Sequence, residues 1–286
     1  MKVPIYQVDA FADRQFTGNP AAVCPLPSWL PDDLLQSIAA ENNVSETAFL
    51  VTSKADGVDF ELRWFTPTTE VSLCGHATLA SGYVLVEKLG FLKHKVVYST
   101  KSGLLNTERR GELYWVDLPA QMPQPLADAD VPADLRNGLG ATPKQFLATE
   151  NKFVALFDDA QVLAQLAPDM AALGRLVGKG VAVTAAGAAH GVDFVSRYFG
   201  PGVGVNEDPV TGSAHSLLVP YWAKQLGKDR LEAVQLSRRG GRLMASLLGE
   251  RIALGGRVQP YLTGELVIEM RRNRGNAAAR KSSLKS

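Results

Sequence analysis

Two tripeptides at matching places carry groups from which a small-molecule reaction can be built. Cys74-Gly75-His76 and Thr211-Gly212-Ser213 each sit where a loop gives way to a strongly apolar helical stretch. The first N–H groups of a helix have no internal partner, and its dipole is positive at that end. Glycine there lets a ligand approach the main chain closely. Two such ends aimed at one cleft hold a carboxylate or stabilise an enolate-like charge. Taken singly, each glycine reads as an ordinary helix start, with Thr211 or Ser213 as a cap. Their recurrence favours the functional reading.

Glu46 is the sharpest acid/base candidate. It stands in Asn43-Val-Ser-Glu46-Thr-Ala-Phe49, between a helix stop and an apolar strand. On this stretch alone it is a capping or edge carboxylate. Aligning Phe49–Thr52 with Val181–Thr184 puts Glu46 opposite Gly178, near Lys179 and Gly180, so the second segment supplies no acid. A glutamate held partly dry has a raised pKa and can take and return a proton near neutral pH.

His76 stands where the other tripeptide has Ser213, and Asp208 lies in the loop entering the second helix. Both can hydrogen-bond a substrate's hydroxyl, amine or carboxylate, and His76 can relay protons. The plainer alternatives are a structural histidine and a turn aspartate beside Pro209. His94 and His215 have no such context. A Cys74–His76 nucleophile pair is weak, because i,i+2 neighbours on a helix point apart. Cys24 reads as a small buried hydrophobe. No His/Asp/Glu cluster has metal-ligand spacing along the chain, and neither a dinucleotide fingerprint nor a P-loop occurs.

The elements that must position these groups are duplicated. Phe60, Arg63, Phe65 and Pro67 lie 134 residues before Phe194, Arg197, Phe199 and Pro201, and Gly75-x-Ala77 lies 137 before Gly212-x-Ala214. Leu89-Gly90 falls on Leu226-Gly227, and Gly103 on Gly240. Two copies of one fold, facing each other, create a cleft. In the first copy, strands are expected at Tyr6–Phe11, Thr47–Val51, Phe60–Phe65, Lys95–Ser99 and Leu113–Leu118. A turn is expected at Thr17–Pro20 and a helix at Pro31–Glu41. Gly75–Lys88 is apolar on nearly every side, which marks a helix buried all round. The second copy predicts strands at Phe153–Phe157, Val181–Thr184, Val192–Phe199, Ala233–Ser237 and Arg251–Leu254. Its helices are expected at Asp159–Leu176 and Gly212–Gln225, the latter kinked or interrupted at Pro220. Many strands around one dry helix per copy imply an α+β chain, each copy a curved sheet wrapped around its own helix. We divide the chain into a first domain over 1–118, a proline-rich linker region over 119–145, and a second domain over 146–270, with a crossing of the chain end back to the first domain as a further expectation. A basic, disordered tail follows over 271–286.

Composition narrows the function classes. The chain has 286 residues, 46% of them hydrophobic and 21% charged, with net charge +1. Arg271–Ser286 carries six Lys or Arg and no acid, which leaves −5 for residues 1–270. That mildly acidic body argues against nucleic acid as the partner. No apolar run approaches a bilayer span, the N-terminus alternates like a strand rather than a signal peptide, and two cysteines fit a reducing, cytoplasmic setting.

Taken together, Val8-Asp-Ala-Phe11, Phe16-Thr-Gly-Asn-Pro20, Ser45-Glu46-Thr-Ala-Phe49, Arg63-Trp-Phe-Thr-Pro67, Leu73-Cys-Gly-His-Ala-Thr78 and Glu207-Asp-Pro-Val-Thr-Gly-Ser-Ala214 resemble the phenazine-biosynthesis (PhzF-like) isomerase family, over roughly residues 1–270. The resemblance implies the diaminopimelate-epimerase-like fold of two pseudo-symmetric strand barrels, a homodimer, and catalysis without metal or organic cofactor. It implies that Glu46 is the acid/base, that His76, Asp208 and Ser213 contact the substrate, and that Gly75, Gly212 and Ser45 complete the pocket. Related epimerases use two opposed cysteines, each just before a helix-opening glycine. Here Cys74 holds the first place and Thr211 the second.

The expected function is therefore a cofactor-independent proton or double-bond shift in a small unsaturated carboxylic or amino acid. The alternatives are an amino-acid epimerase or racemase using Cys74 with a non-thiol partner, and a non-catalytic metabolite-binding protein of the same fold.

Overall fold

The computed structural model describes residues 1–269, so the expectation for the tail at 271–286 lies outside it. The first copy runs β1 (Lys2–Ala10), β2 (Asn19–Leu26), α1 (Asp32–Asn42), β3 (Glu46–Thr52), β4 (Phe60–Phe65), β5 (Glu70–Val71), α2 (Gly75–Tyr83), β6 (Lys95–Thr100), β7 (Gly103–Arg110) and β8 (Leu113–Pro119). Between the copies lie β9 (Gln124–Pro125) and α3 (Ala133–Gly138). The second copy runs β10 (Gln145–Ala148), β11 (Lys152–Leu156), α4 (Ala160–Gln165), α5 (Met170–Gly174), β12 (Gly180–Ala186), β13 (Phe194–Gly200), β14 (Val205–Glu207), α6 (Gly212–Leu226), β15 (Arg230–Gln235), β16 (Gly241–Leu248) and β17 (Arg251–Gly256). β18 (Val258–Val267) closes the described chain.

Pairing follows one scheme twice. β2–β3 is parallel, β3–β4 antiparallel, β4–β6 parallel, and β6–β7–β8 antiparallel. β11–β12, β12–β13, β13–β15 and β15–β16–β17 repeat these senses in order. β8 and β17 pair with each other and join the two sheets. Each copy also lends a strand: β9 pairs with β10, and β18 runs back along β1.

The register corrects the alignment at Glu46. Phe49 faces Arg63 and Val183 faces Arg197, so β3 and β12 correspond with an offset of 134. Glu46 therefore falls on Gly180, not Gly178. Consistently, Glu46 pairs with Ala21 across β2–β3, and Gly180 with Lys152 across β11–β12. The absence of a second acid at this position stands.

The helices α2 and α6 are dry on nearly every face, and side chains from both, such as Leu79 and Leu217, share one central core with the inward rows of the strands. Two outer cores lie beneath α1 and beneath α3–α5. Pro220 does not interrupt α6. A proline frees the carbonyl four residues back, and the Ser216 carbonyl accepts instead from the Gln121 N–H at 2.9 Å.

Other differences have equally local causes. The stretch over Asp159–Leu176 is two short helices rather than one, because Pro168 intervenes and Asp169 caps the second by accepting from the Ala171 and Ala172 N–H groups. Gly75–Lys88 relaxes from α to π geometry at Val84. The turn placed at Thr17–Pro20 already enters a strand at Asn19. β2, β5, β7, β9, β10, β14, β16 and β18 lie outside the strands expected from the sequence. Gly90 and Gly227 do end their helices alike, both with left-handed backbone.

Candidate active site

The duplication brackets the site with repeated ion pairs. Arg63 meets Glu70 through two hydrogen bonds of 2.8 and 2.9 Å, and Arg197 meets Glu207 through two of 2.7 and 3.1 Å. Each bidentate pair fixes the loop that leads into a buried helix. These repeated carboxylates are framework.

The two helix tips then meet. A Cβ built on Gly75 falls 3.1 Å from the Gly212 Cα, and one built on Gly212 falls 3.0 Å from the Gly75 Cα. A side chain at either place would press on the main chain of the other tip, so glycine at both allows the tips this close. The residues before them, Cys74 and Thr211, make no side-chain cap to their helices. The simple capping explanation for these segments therefore fails.

Glu46, the first residue of β3, points to the α2 tip. Its side chain is 15% exposed, while Oε2 is sealed from solvent and lies 3.2 Å from His76 Nε2. That separation has the length of an ion pair. Burial disfavours both charges, however, so we read it as a neutral carboxyl-to-imidazole contact. Loss of solvation pushes the Glu46 carboxyl up to about 8, the charge of Asp208 adds to the rise, and a hydrogen bond with Cys74 opposes it. Burial pulls His76 down to about 3, with the Pro20 carbonyl pulling partly back. Neither Glu46 Oε2 nor His76 Nε2 has an aligned hydrogen-bond partner.

Asp208, from the loop before α6, completes the cluster. Its carboxylate accepts from Asn19 Nδ2 at 2.8 Å and from the Thr211 hydroxyl. Burial raises its pKa to about 6, against these two hydrogen bonds. Asn19 Nδ2 donates its other hydrogen to the Val210 carbonyl at 2.9 Å and lies 3.2 Å from His76 Nδ1, so it ties the two halves of the site together. Buried Gln235 braces the α6 tip, accepting from the Thr211 N–H at 2.9 Å and donating to the Asp208 carbonyl at 2.7 Å.

Glu46, His76, Asp208, Gly75 and Gly212 thus converge. Ser213 is the second residue of α6 and Ser45 directly precedes β3; both are half-buried, and neither hydroxyl hydrogen-bonds among the described residues. Sequence reasoning missed Asn19, which it read as a turn residue, and Gln235, whose only signal is an amide ending an otherwise strand-like run. It also set aside a Cys74–His76 pair on helix geometry that does not apply. Cys74 has extended backbone outside α2, and its Sγ lies 3.5 Å from His76 Nδ1. Burial, then Glu46, raises its pKa well above the ordinary value, so the thiol keeps its proton. Contrary to the expectation from chain spacing, Glu46, Cys74 and His76 do bring ligand-type atoms within 4.8 Å of one another. Spacing hid this cluster because Glu46 arrives from a separate strand.

Comparison with known proteins places this geometry. Residues 8–272 match the model of the phenazine biosynthesis-like protein (PhzC-PhzF) family. An uncharacterized isomerase of Pseudomonas aeruginosa is 51% identical over 266 residues, covering 93% of this chain and 99% of its own. The crystal structure of a PhzF-family protein from Enterococcus faecalis superposes with a TM-score of 0.86 at 40% identity, covering 94% of this chain and all of the other. A hydroxyproline epimerase from Agrobacterium vitis, at 13% identity and a TM-score of 0.61 over 93% of this chain and 92% of its own, shares the fold alone. The two pseudo-symmetric barrels are therefore the diaminopimelate-epimerase-like fold. The chain belongs to the phenazine biosynthesis-like (PhzC-PhzF) family, as an isomerase.

Proposed function

We propose that this isomerase shifts a proton, and with it a double bond, within a small unsaturated carboxylic or amino acid, using Glu46 as the acid/base. The observation that carries this reading is the position of Glu46: one carboxyl with no counterpart in the other copy, its outer oxygen sealed and unpartnered beside two meeting helix tips. A carboxyl raised to about 8 holds and releases a proton with comparable ease near neutrality. The uncapped N-termini of α2 and α6 offer N–H groups to the substrate carboxylate and to the charge that develops when its α-proton leaves. Asp208 and His76 orient the substrate's amine or hydroxyl, with Ser213 and Ser45 at the rim. Proton transfer by side chains of the chain itself suffices for this chemistry.

Two-thiol racemisation is disfavoured, because Thr211 replaces the second cysteine and Cys74 keeps its proton. Incubation in D₂O with itaconate, L-proline, trans-4-hydroxy-L-proline and a dihydroanthranilate, read by mass spectrometry, tests the proposal. One-deuterium uptake with double-bond migration is expected. Uptake with inversion at an unmoved α-carbon would favour the epimerase, and no uptake from any compound would reject isomerisation of these classes. A cytoplasmic homodimer is part of the same reading, and sedimentation of the purified chain checks the dimer.

A further inference from the structure

The position matching Glu46 in the second copy is not simply vacant. Gly180 occupies it, and a Cβ built there lies 1.8 Å from the hydroxyl oxygen of Tyr198. Tyr198 sits on β13 opposite Ala182, as Trp64 sits on β4 opposite Ala48. Its ring runs from the level of Ala182 back to that of Gly180. The hydroxyl thus reaches the place from which a second glutamate would have started. Glycine at 180 is what makes room for it.

The tyrosine is also tied to the site through its main chain, since its carbonyl accepts the Asp208 N–H at 3.1 Å. Its ring is nearly buried, while its hydroxyl, which is not among the atoms sealed from solvent, takes part in no hydrogen bond among the described residues. A phenol held by its ring with its hydroxyl open to a cleft is free to meet a ligand's polar atom. Resting on the isomerase reading above, we propose that Tyr198 is a substrate-contacting, specificity-determining residue, whose hydroxyl donates a hydrogen bond to an oxygen acceptor of the bound substrate from the second copy's wall of the cleft.

Burial, then the charges of Asp208 and Glu46, raise the Tyr198 pKa, so the phenol keeps its proton at neutral pH. It serves as a donor rather than a second base. The proton shift therefore stays with Glu46, and the copies divide the labour: one contributes the proton carrier, the other reads a polar atom of the substrate.

Tyr198→Phe retains the ring and removes only the hydroxyl. The test measures KM, kcat, the pH profile and the melting temperature of this variant on whichever of itaconate, L-proline, trans-4-hydroxy-L-proline or the dihydroanthranilate exchanges with the wild type. We expect a roughly tenfold rise in KM, an unchanged position of the pH profile, and a melting temperature no lower than the wild type. Unchanged KM and kcat would overturn the role of Tyr198 while leaving Glu46 untouched. So would a loss of several degrees in melting temperature, or failure to fold, since either makes the hydroxyl structural. Exchange of no compound by the wild type overturns the isomerase reading and this inference with it.

Discussion

Glu46 and Asp208 come from opposite copies, and the duplication repeats neither of them. Gly180 stands at the position of Glu46, and Val71, which follows Glu70 as Asp208 follows Glu207, stands at the position of Asp208. The repeated acids Glu70 and Glu207 are both locked to arginines. The unrepeated ones share a buried cluster, where the charge of Asp208 helps to raise Glu46.

Glu46 makes folding stability pH-dependent in a direction opposite to that of a salt-bridged carboxylate. The folded state holds its proton up to about 8, the unfolded chain only to the ordinary 4.5. Between these values the native state binds the extra proton, so stability falls as pH rises. Glu46→Gln removes this penalty, on the order of a few kcal/mol at the upper end. Thermal melts of the two proteins should agree near pH 4.5 and diverge in favour of the variant toward pH 8.5. Equal differences at both pH values would contradict the burial of this charge.

Asp208→Asn removes the neighbouring charge but keeps the acceptor for Asn19. The Glu46 pKa should fall from about 8 without returning to 4.5, because burial rather than Asp208 is the larger cause. The acid limb of kcat/KM, set by deprotonation of Glu46, should therefore move to lower pH, alongside a lower maximal rate. A limb that stays in place would dissociate it from Glu46.

Gly212→Ala should damage the site more than the fold. The new methyl would lie 3.0 Å from the Gly75 Cα, a main-chain atom with little freedom to retreat. Overpacking costs about 1–3 kcal/mol, partly offset by about 1 kcal/mol of improved helix propensity. A modest fall in melting temperature should accompany a large loss of activity as the helix tips separate. Full activity would mean the tips do not need their contact.

Asn19→Ala takes a donor from the Asp208 carboxylate and the Val210 carbonyl together. Leaving the buried carboxylate short of a partner costs about 1–3 kcal/mol. Because that hydrogen bond lowers the Asp208 pKa, its loss should raise it further above about 6. Titration of Asp208 by carboxyl-carbon NMR in the variant should show the upward move; a downward move would contradict the network.

The sequence makes the duplicated frame visible because repeated residues do repeated jobs. Arg63 and Arg197 bind matching glutamates, Gly90 and Gly227 end matching helices, and Gly75 and Gly212 touch. Glu46 was legible for the opposite reason, as a break in the repeat, and Asp208 from its place in the loop entering the second helix. Asn19 and Gln235 stayed hidden because their value lies in contacts across the copies, 189 residues apart for Asn19 and Asp208, which no local pattern encodes. The proximity of Cys74 to His76 was missed because helix spacing was applied one residue outside the helix. The broken helix at Pro168 and the intact one at Pro220 show the same limit. Both freed carbonyls find donors from elsewhere in the fold, Ala164 from the Arg197 side chain and Ser216 from the Gln121 N–H, yet only the second helix runs on, a difference the local sequence does not encode.

The most direct measurement of the central claim is the turnover of Glu46→Gln on a compound that the wild type isomerises, beside deuterium uptake by both proteins. Glutamine keeps the shape of the side chain and abolishes its proton chemistry. The account predicts a fall in kcat of at least ~10²-fold, with loss of deuterium uptake and a folded, more stable protein at alkaline pH. Near-normal turnover by that folded variant would contradict it.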